Sequence, residues 1–340
     1  MESTLVSNSQ SSSCVTRLRY VLVGLVAALV AADVPAARAM ELLTTIALPG
    51  VKGRIDHLSA DPRTHRIFIA ALGNDTVEVI NTESGQRRTI LGLGEPQGVL
   101  YLPDSDRLLI ANGGSNHVDL VDVASLSVVR RIGSMDDADN VRYDPSAHQV
   151  WVGYGKGALR LLDPVTGGSG GEIPLPGHPE SFQLEQDGPR AFVNVPTAKK
   201  VVVVDRAKRQ VVDRWETPDA SAYPMGLDEN GHRLFVGARS PPALLVYDTK
   251  SGKVVARLAI CKDTDDVFFD QARKRIYVIC GEGKVNIVRQ DTPDRYVIDE
   301  SLDTAPRART GLFVSEEEKL YVAAPAIGAI PARILVYRVR

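Results

Sequence analysis

Residues 139–166 read DNVRYDPSAHQVWVGYGKGALRLLDPVT, and this stretch decides the fold. A strand from Asn140 to Tyr143 breaks at Asp144-Pro145-Ser146-Ala147, because proline fixes φ and removes a ladder donor. The apolar run Val150-Trp151-Val152 follows and ends at Gly155-Lys156-Gly157, a turn that glycine's access to positive φ permits. A third strand, Leu159 to Leu162, closes on Asp163-Pro164, and Ile173 and Leu175 mark a fourth. The stretch is one four-stranded meander.

Working outward, the second strand of this unit recurs along the chain. RIFIA (66–70), RLLIA (107–111), QVWVG (149–153), RAFVN (190–194), RLFVG (233–237), RIYVI (275–279) and KLYVA (319–323) start 41 to 44 residues apart. An apolar third strand follows each copy. Five of these end in Asn or Asp: VEVIN (77–81), VDLVD (118–122), LRLLD (159–163), VVVVD (201–205) and LLVYD (244–248). A period of about 42 residues with four short strands per unit predicts an all-β, seven-bladed β-propeller of antiparallel blades. The seventh unit has no residues left for a fourth strand, while residues 41–48 form a spare strand with no blade of their own. Since an open edge leaves backbone groups unpaired, residues 41–48 are expected to complete the last blade and close the ring.

The N-terminus reads as an export leader. Arg17 and Arg19 precede the apolar run Tyr20–Ala32, and the small-x-small pattern Ala37-Arg38-Ala39 follows. The run falls short of the roughly 20 residues a spanning helix needs. We therefore expect a signal peptide at 1–39, a single propeller domain at 40–340, and a periplasmic or secreted, monomeric protein free of the membrane after cleavage. The leader holds three basic and two acidic residues, so its removal moves the net charge from −2 to −3. Basic residues are spread through the turns without a stripe to neutralise phosphates, which argues against nucleic acid as a partner. Outside the leader's reach, Cys261 and Cys280 sit near one rim of the ring, either as a disulfide or as two buried thiols.

The run RIFIAALGNDTVEVINTESG (66–85), echoed by RLFVGARSPPALLVYDTKSG (233–252), resembles the YVTN-type repeat of exported, YncE-like seven-bladed propellers. The resemblance covers residues 41–340. It implies the fold; such propellers host binding, structural and enzymatic roles, so it implies no particular activity.

Placing the seven units in register brings the first residues of the inner strands to one mouth of the central channel. The leading ring is Asp56, Gln97, Asp139, Glu180, Tyr223, Asp265 and Arg309, and the next is His57, Gly98, Asn140, Ser181, Pro224, Asp266 and Thr310. Two places before the leading ring stand Arg54, Glu95, Asp137, His178, Ser221, Asp263 and Arg307. Two places after it, Leu58, Val99, Val141, Phe182, Met225, Val267 and Gly311 are apolar or glycine, as expected where a channel mouth gives way to blade packing. The candidate ligand-binding residues are Arg54, Asp56, His57, Gln97, Asp139, Asn140, His178, Glu180, Tyr223, Asp265, Asp266, Arg307 and Arg309. Their charges predict a dipolar mouth, acidic around blades three to six and basic where blades one and seven meet. Side chains differ between blades, where a purely structural need would repeat one residue.

No HxH or CxxC spacing appears and no cofactor is expected, although His57, His178, Asp139, Asp265 and Asp266 are types that bind divalent ions. No G-x-S-x-G elbow is present, and the glycine pairs open no helix that would cradle phosphate. The expectation is a non-catalytic scaffold that binds a small polar ligand, a peptide or a partner protein at the channel mouth. The alternative is a lactonase-like or other hydrolytic enzyme, with or without a metal, using Glu95, Glu180, His57 and Arg309 at the same face.

Overall fold

The computed structural model describes residues 38–340; Arg17, Arg19 and Tyr20–Ala32, on which the expectation of an export leader rests, lie outside the described residues. The described chain forms seven four-stranded antiparallel sheets, six of them in simple sequence order. The inner strands are Leu58–Asp61, Pro96–Leu102, Val141–Asp144, Ser181–Leu184, Ala220–Asp228, Thr264–Asp270 and Thr310–Val314. The second strands begin at Arg66, Arg107, Gln149, Arg190, Arg233, Arg275 and Lys319, the seven positions that the repeat marks.

These second strands are buried along nearly their whole length, as in Arg66–Ala71 and Arg275–Cys280. Each is covered on both faces by neighbouring blades, which is why the sequence shows an unbroken apolar run rather than alternation. Outer strands such as Ser127–Gly133 face solvent. Each pair of adjacent blades encloses one apolar cluster. Trp151 of blade three packs against Phe182, Leu184 and Val193 of blade four. Trp215 and Phe192 of blade four meet Met225 and Tyr247 of blade five. Both tryptophans therefore lie between blades.

Blade seven is completed as expected. Met40–Leu48 pairs antiparallel with Ala332–Val339, in register from Met40 opposite Val339 to Leu48 opposite Ala332, with a shift between Leu42 and Thr44. The Arg340 N–H adds a bond to the Ala39 carbonyl (2.9 Å).

The five Asn and Asp residues that end third strands have one local purpose. Asn81, Asp122, Asp163, Asp205 and Asp248 each accept the backbone N–H three residues on, at 2.6–2.9 Å, folding the chain into the next turn. A second repeated turn precedes six of the seven second strands, all but that of blade four. His65, Asp106, His148, His232, Lys274 and Glu318 all adopt φ between 46° and 55° there. His and Asp are among the few L-residues that tolerate this region readily, so His65, His148 and His232 are turn residues.

Cys261 and Cys280 form a disulfide with their Cα atoms 5.8 Å apart. It ties the chain entering blade six to the end of that blade's second strand, and it settles the two alternatives left open by the sequence.

Candidate functional site

The loops that lead into the inner strands share a backbone device. Glu95, Asp137, Ser221, Asp263 and Arg307 all have φ between 46° and 66°, and blade one uses Gly53 (φ 70°) one place earlier. Holding a non-glycine residue there costs of order 1 kcal/mol. Five blades accept that cost while placing different side chains on the bend.

The inner strands of blades two, five and six also carry register shifts, between Pro96 and Val99, Ala222 and Met225, and Thr264 and Asp266. Gln97, Tyr223 and Asp265 of the leading ring occupy these bulges, which re-aim side chains. At the first of them, a Cβ on Gly98 would lie 2.0 Å from the Asp139 carbonyl oxygen. Only glycine lets blades two and three approach so closely.

Two arcs of charge result. From blade five round to blade one, acids and arginines interlock. Arg239 pairs with Asp265, donates to the Thr264 carbonyl (2.8 Å) and lies over the Tyr223 ring at 4.0 Å. Arg309 meets Asp265 at 2.9 Å and Asp263 at 3.2 Å. Arg54 meets the buried Asp56 at 2.9 Å and Asp265 at 3.7 Å. Arg307 makes no ion pair among the described residues. With Arg54, Arg309, Asp263 and Pro325 it lines a recess of about 100 Å³. Asp265 of blade six thus belongs to the arginine-rich arc. The acidic half is shorter than the sequence suggests and stops at blade four.

Opposite, on blades two to four, acids outnumber cations. Gln97 donates to Asp137 at 3.4 Å. Asp139 is buried, and its Oδ1 has no hydrogen-bond partner. Glu180 forms no side-chain hydrogen bond or ion pair among the described residues. Burial raises the Asp139 carboxyl well above its ordinary value, and neighbouring Asp56 and Glu180 add to this against His57 and Arg54. Burial raises Glu180 as well, with Asp265 and Asp137 adding to this against His178 and Arg239. His178 donates from Nδ1 to the Gly155 carbonyl at 2.7 Å, with Asp137 at 3.5 Å. Asp139, His178 and Glu180 each offer one donor atom, all within 4.8 Å of one another.

One side chain spans the opening. His57 of blade one lies 3.6 Å from Asp266 of blade six, 3.9 Å from Asp139 and 3.1 Å from the Asn140 amide of blade three. Asn140 also donates to the Glu180 carbonyl (2.6 Å), and Asp266 accepts the Gly311 N–H (2.8 Å). Burial disfavours the charged imidazole, but Asp266, Asp56 and Asp139 outweigh it and hold His57 up at about 10. Beneath this layer the channel encloses about 310 Å³, lined by Ser59, Leu100, Arg142, Gln183, Phe268 and Leu312 among others.

The structure therefore brings all thirteen candidates to one mouth, though in two unequal arcs. Of the divalent-ion types named from sequence, Asp139 and His178 meet, while Asp265 is held by arginines. Sequence reasoning passes over Arg239, because it extends a second strand beyond the repeated five residues; the longer run GARSPP is the only signal. It also passes over Arg142 and Gln183. They lie three places after the leading ring, one step past the apolar ring that turns between the blades.

Fold and mouth together define a seven-bladed β-propeller with a charged, unrepeated channel mouth. No protein-family model matches the sequence, and no curated protein matches it. Among solved structures 1845 chains match, so the architecture is too widely shared to indicate an activity. A chain in the crystal structure of the mitotic checkpoint complex superposes with a TM-score of 0.76 at 16% identity, covering 95% of this chain and 99% of that one. A chain of Kuenenia stuttgartiensis hydrazine synthase gives 0.69 at 16% identity, covering 83% and 98%. Such likeness shows the fold alone.

Proposed function

We propose that the protein is an exported binding propeller of the YncE-like kind, and that its channel mouth takes a small polar ligand carrying both charges. The observation behind this reading is the segregation of free charge. Arg307 makes no ion pair among the described residues and lines a small recess, while Asp139 and Glu180 pair with no arginine or lysine on the opposite arc. Seven equal blades would place these arcs on opposite sides of the channel. An anionic group of the ligand goes to Arg307 and Arg309, and a cationic centre to Asp139 and Glu180. Charges in a concave, partly dry site act more strongly than on an open surface. The YVTN-type repeat and the leader at 1–39 support export.

A thermal-shift screen of amino acids, short peptides and their singly charged analogues tests this. Doubly charged compounds should stabilise the protein, and both Arg307→Ala and Glu180→Gln should weaken them. A ligand that binds equally well to both variants, or one that is wholly apolar, sinks the reading.

A further inference from the structure

We propose that Asp139, His178 and Glu180 form a binding site for a divalent transition-metal ion of the zinc type. This deepens the reading of the mouth by naming the cation on its acidic arc, and it rests on that reading only for the arc's accessibility.

Three independent features point to an ion. The first is the donor set, one imidazole and two carboxylates from adjacent blades, with donor atoms within 4.8 Å of one another. Bonds of about 2.0–2.2 Å require these atoms to draw in by small rotations. His178 and Glu180 can make them, since both are only half-buried on a lead-in loop. The second is the tautomer of His178. Its Nδ1–H is committed to the Gly155 carbonyl at 2.7 Å, which leaves the Nε2 lone pair free. Metal-ligating histidines are commonly fixed in this manner by a backbone carbonyl. The third is Asp139, whose side chain is only 10% exposed and whose Oδ1 has no hydrogen-bond partner, the His57 ring lying beyond hydrogen-bond reach at 3.9 Å. A buried carboxylate oxygen left unpartnered is costly, and an ion beside it removes that cost.

The donor chemistry selects among ions. Calcium and magnesium take oxygen ligands, whereas imidazole suits zinc and its first-row neighbours. Three protein ligands leave at least one position open to water or to an anionic group of a ligand.

The test uses the full protein, stripped with chelator and titrated with Zn²⁺ by calorimetry, with Co²⁺ as a spectroscopic probe. We expect one ion per chain at micromolar affinity or tighter, and a cobalt visible spectrum characteristic of four- or five-coordination. His178→Gln and Glu180→Gln, both half-buried and so tolerant of replacement, should each weaken binding at least as much as the ~10–100-fold lost when an outer-shell partner is removed. Asp303→Asn, on the outer strand of blade six, should leave it unchanged. Failure of the wild type to bind stoichiometrically, or unchanged binding in both Gln variants, overturns the proposal, as does binding of Ca²⁺ alone. A mouth that binds doubly charged organic ligands but no zinc removes this inference and leaves the function standing; zinc binding with no role for Arg307 does the reverse.

Discussion

The inner strands carry acids at both ends, and the two ends treat them differently. At the end remote from the mouth, Asp61, Asp144, Glu185, Asp228 and Asp270 recur in five of the seven blades, all buried. Most have a matching cation. Asp61 accepts from Arg66 (2.8 Å) and Thr64, Arg206 reaches across from blade four to Asp144 (2.9 Å), Arg190 grips Glu185, and Arg273 meets Asp270. At the mouth, the leading ring mixes Asp, Gln, Glu, Tyr and Arg from blade to blade, and Asp139 and Glu180 have no arginine or lysine ion-pair partner among the described residues. Repeated and paired chemistry belongs to the architecture. Unrepeated and unpaired chemistry has to be explained by something outside the chain.

The comparison breaks most severely if the ring itself fails. A chain beginning at Gly50 lacks Met40–Leu48 and leaves the Ala332–Val339 edge open. We expect it to aggregate or to lose cooperative unfolding. Melting at the temperature of the intact protein would show that closure does not depend on this strand.

Next in size is the disulfide, which marks the mouth side of blade six alone. It closes a loop across a separation of 19 residues, for which chain entropy suggests about 3 kcal/mol. Replacing both cysteines by serine should lower stability by about that amount in urea. It should also free the segment that carries Asp263 and Asp265, read as faster amide exchange there. Exchange that rises evenly through all seven blades would contradict a local role.

At the repeated end, Asp61→Asn should cost about 2 kcal/mol, because Arg66 loses a charge-assisted partner. Burial pushes the Asp61 carboxyl up, yet Thr64 and Arg66 outweigh it and hold the group below its ordinary value. Its contribution is therefore present above the unfolded-state value and lost as pH falls through the lower folded one. The gap between wild type and variant should be full at neutral pH and vanish in acid. A gap that widens in acid would mean that the carboxylate is not stabilised by these partners.

This division also explains what the sequence made legible. The second strands were marked to their first residue, because blades bury both faces and the requirement repeats seven times. The spare strand at 41–48 and its partner followed from the same count. The mouth residues were found as a set because the register carries them there. Their partners were not, since Arg239 lies beyond the repeat and the bulges at Gln97, Tyr223 and Asp265 break the register that places side chains. The interlocking of Asp265 with three arginines depends on contacts across blades, which periodicity does not encode.

The smallest effect is the sharpest for the comparison. In metal-free protein, Asp139→Asn and Glu180→Gln remove charges that burial disfavours and that no arginine or lysine side chain pairs, His57 standing 3.9 Å from Asp139. Each should leave stability within about 0.5 kcal/mol of wild type or raise it slightly, as expected where a site is shaped for binding at some cost to the fold. Asp144→Asn, an acid of similar burial at the other end of blade three's inner strand, should instead destabilise clearly, because Arg206 and the turn amides of Ser146 and Ala147 all use that carboxylate. Parallel urea melts in chelator compare the three variants directly. If Asp139→Asn costs as much as Asp144→Asn, the mouth carboxylates are structural after all, and the distinction between the two ends of the strands fails.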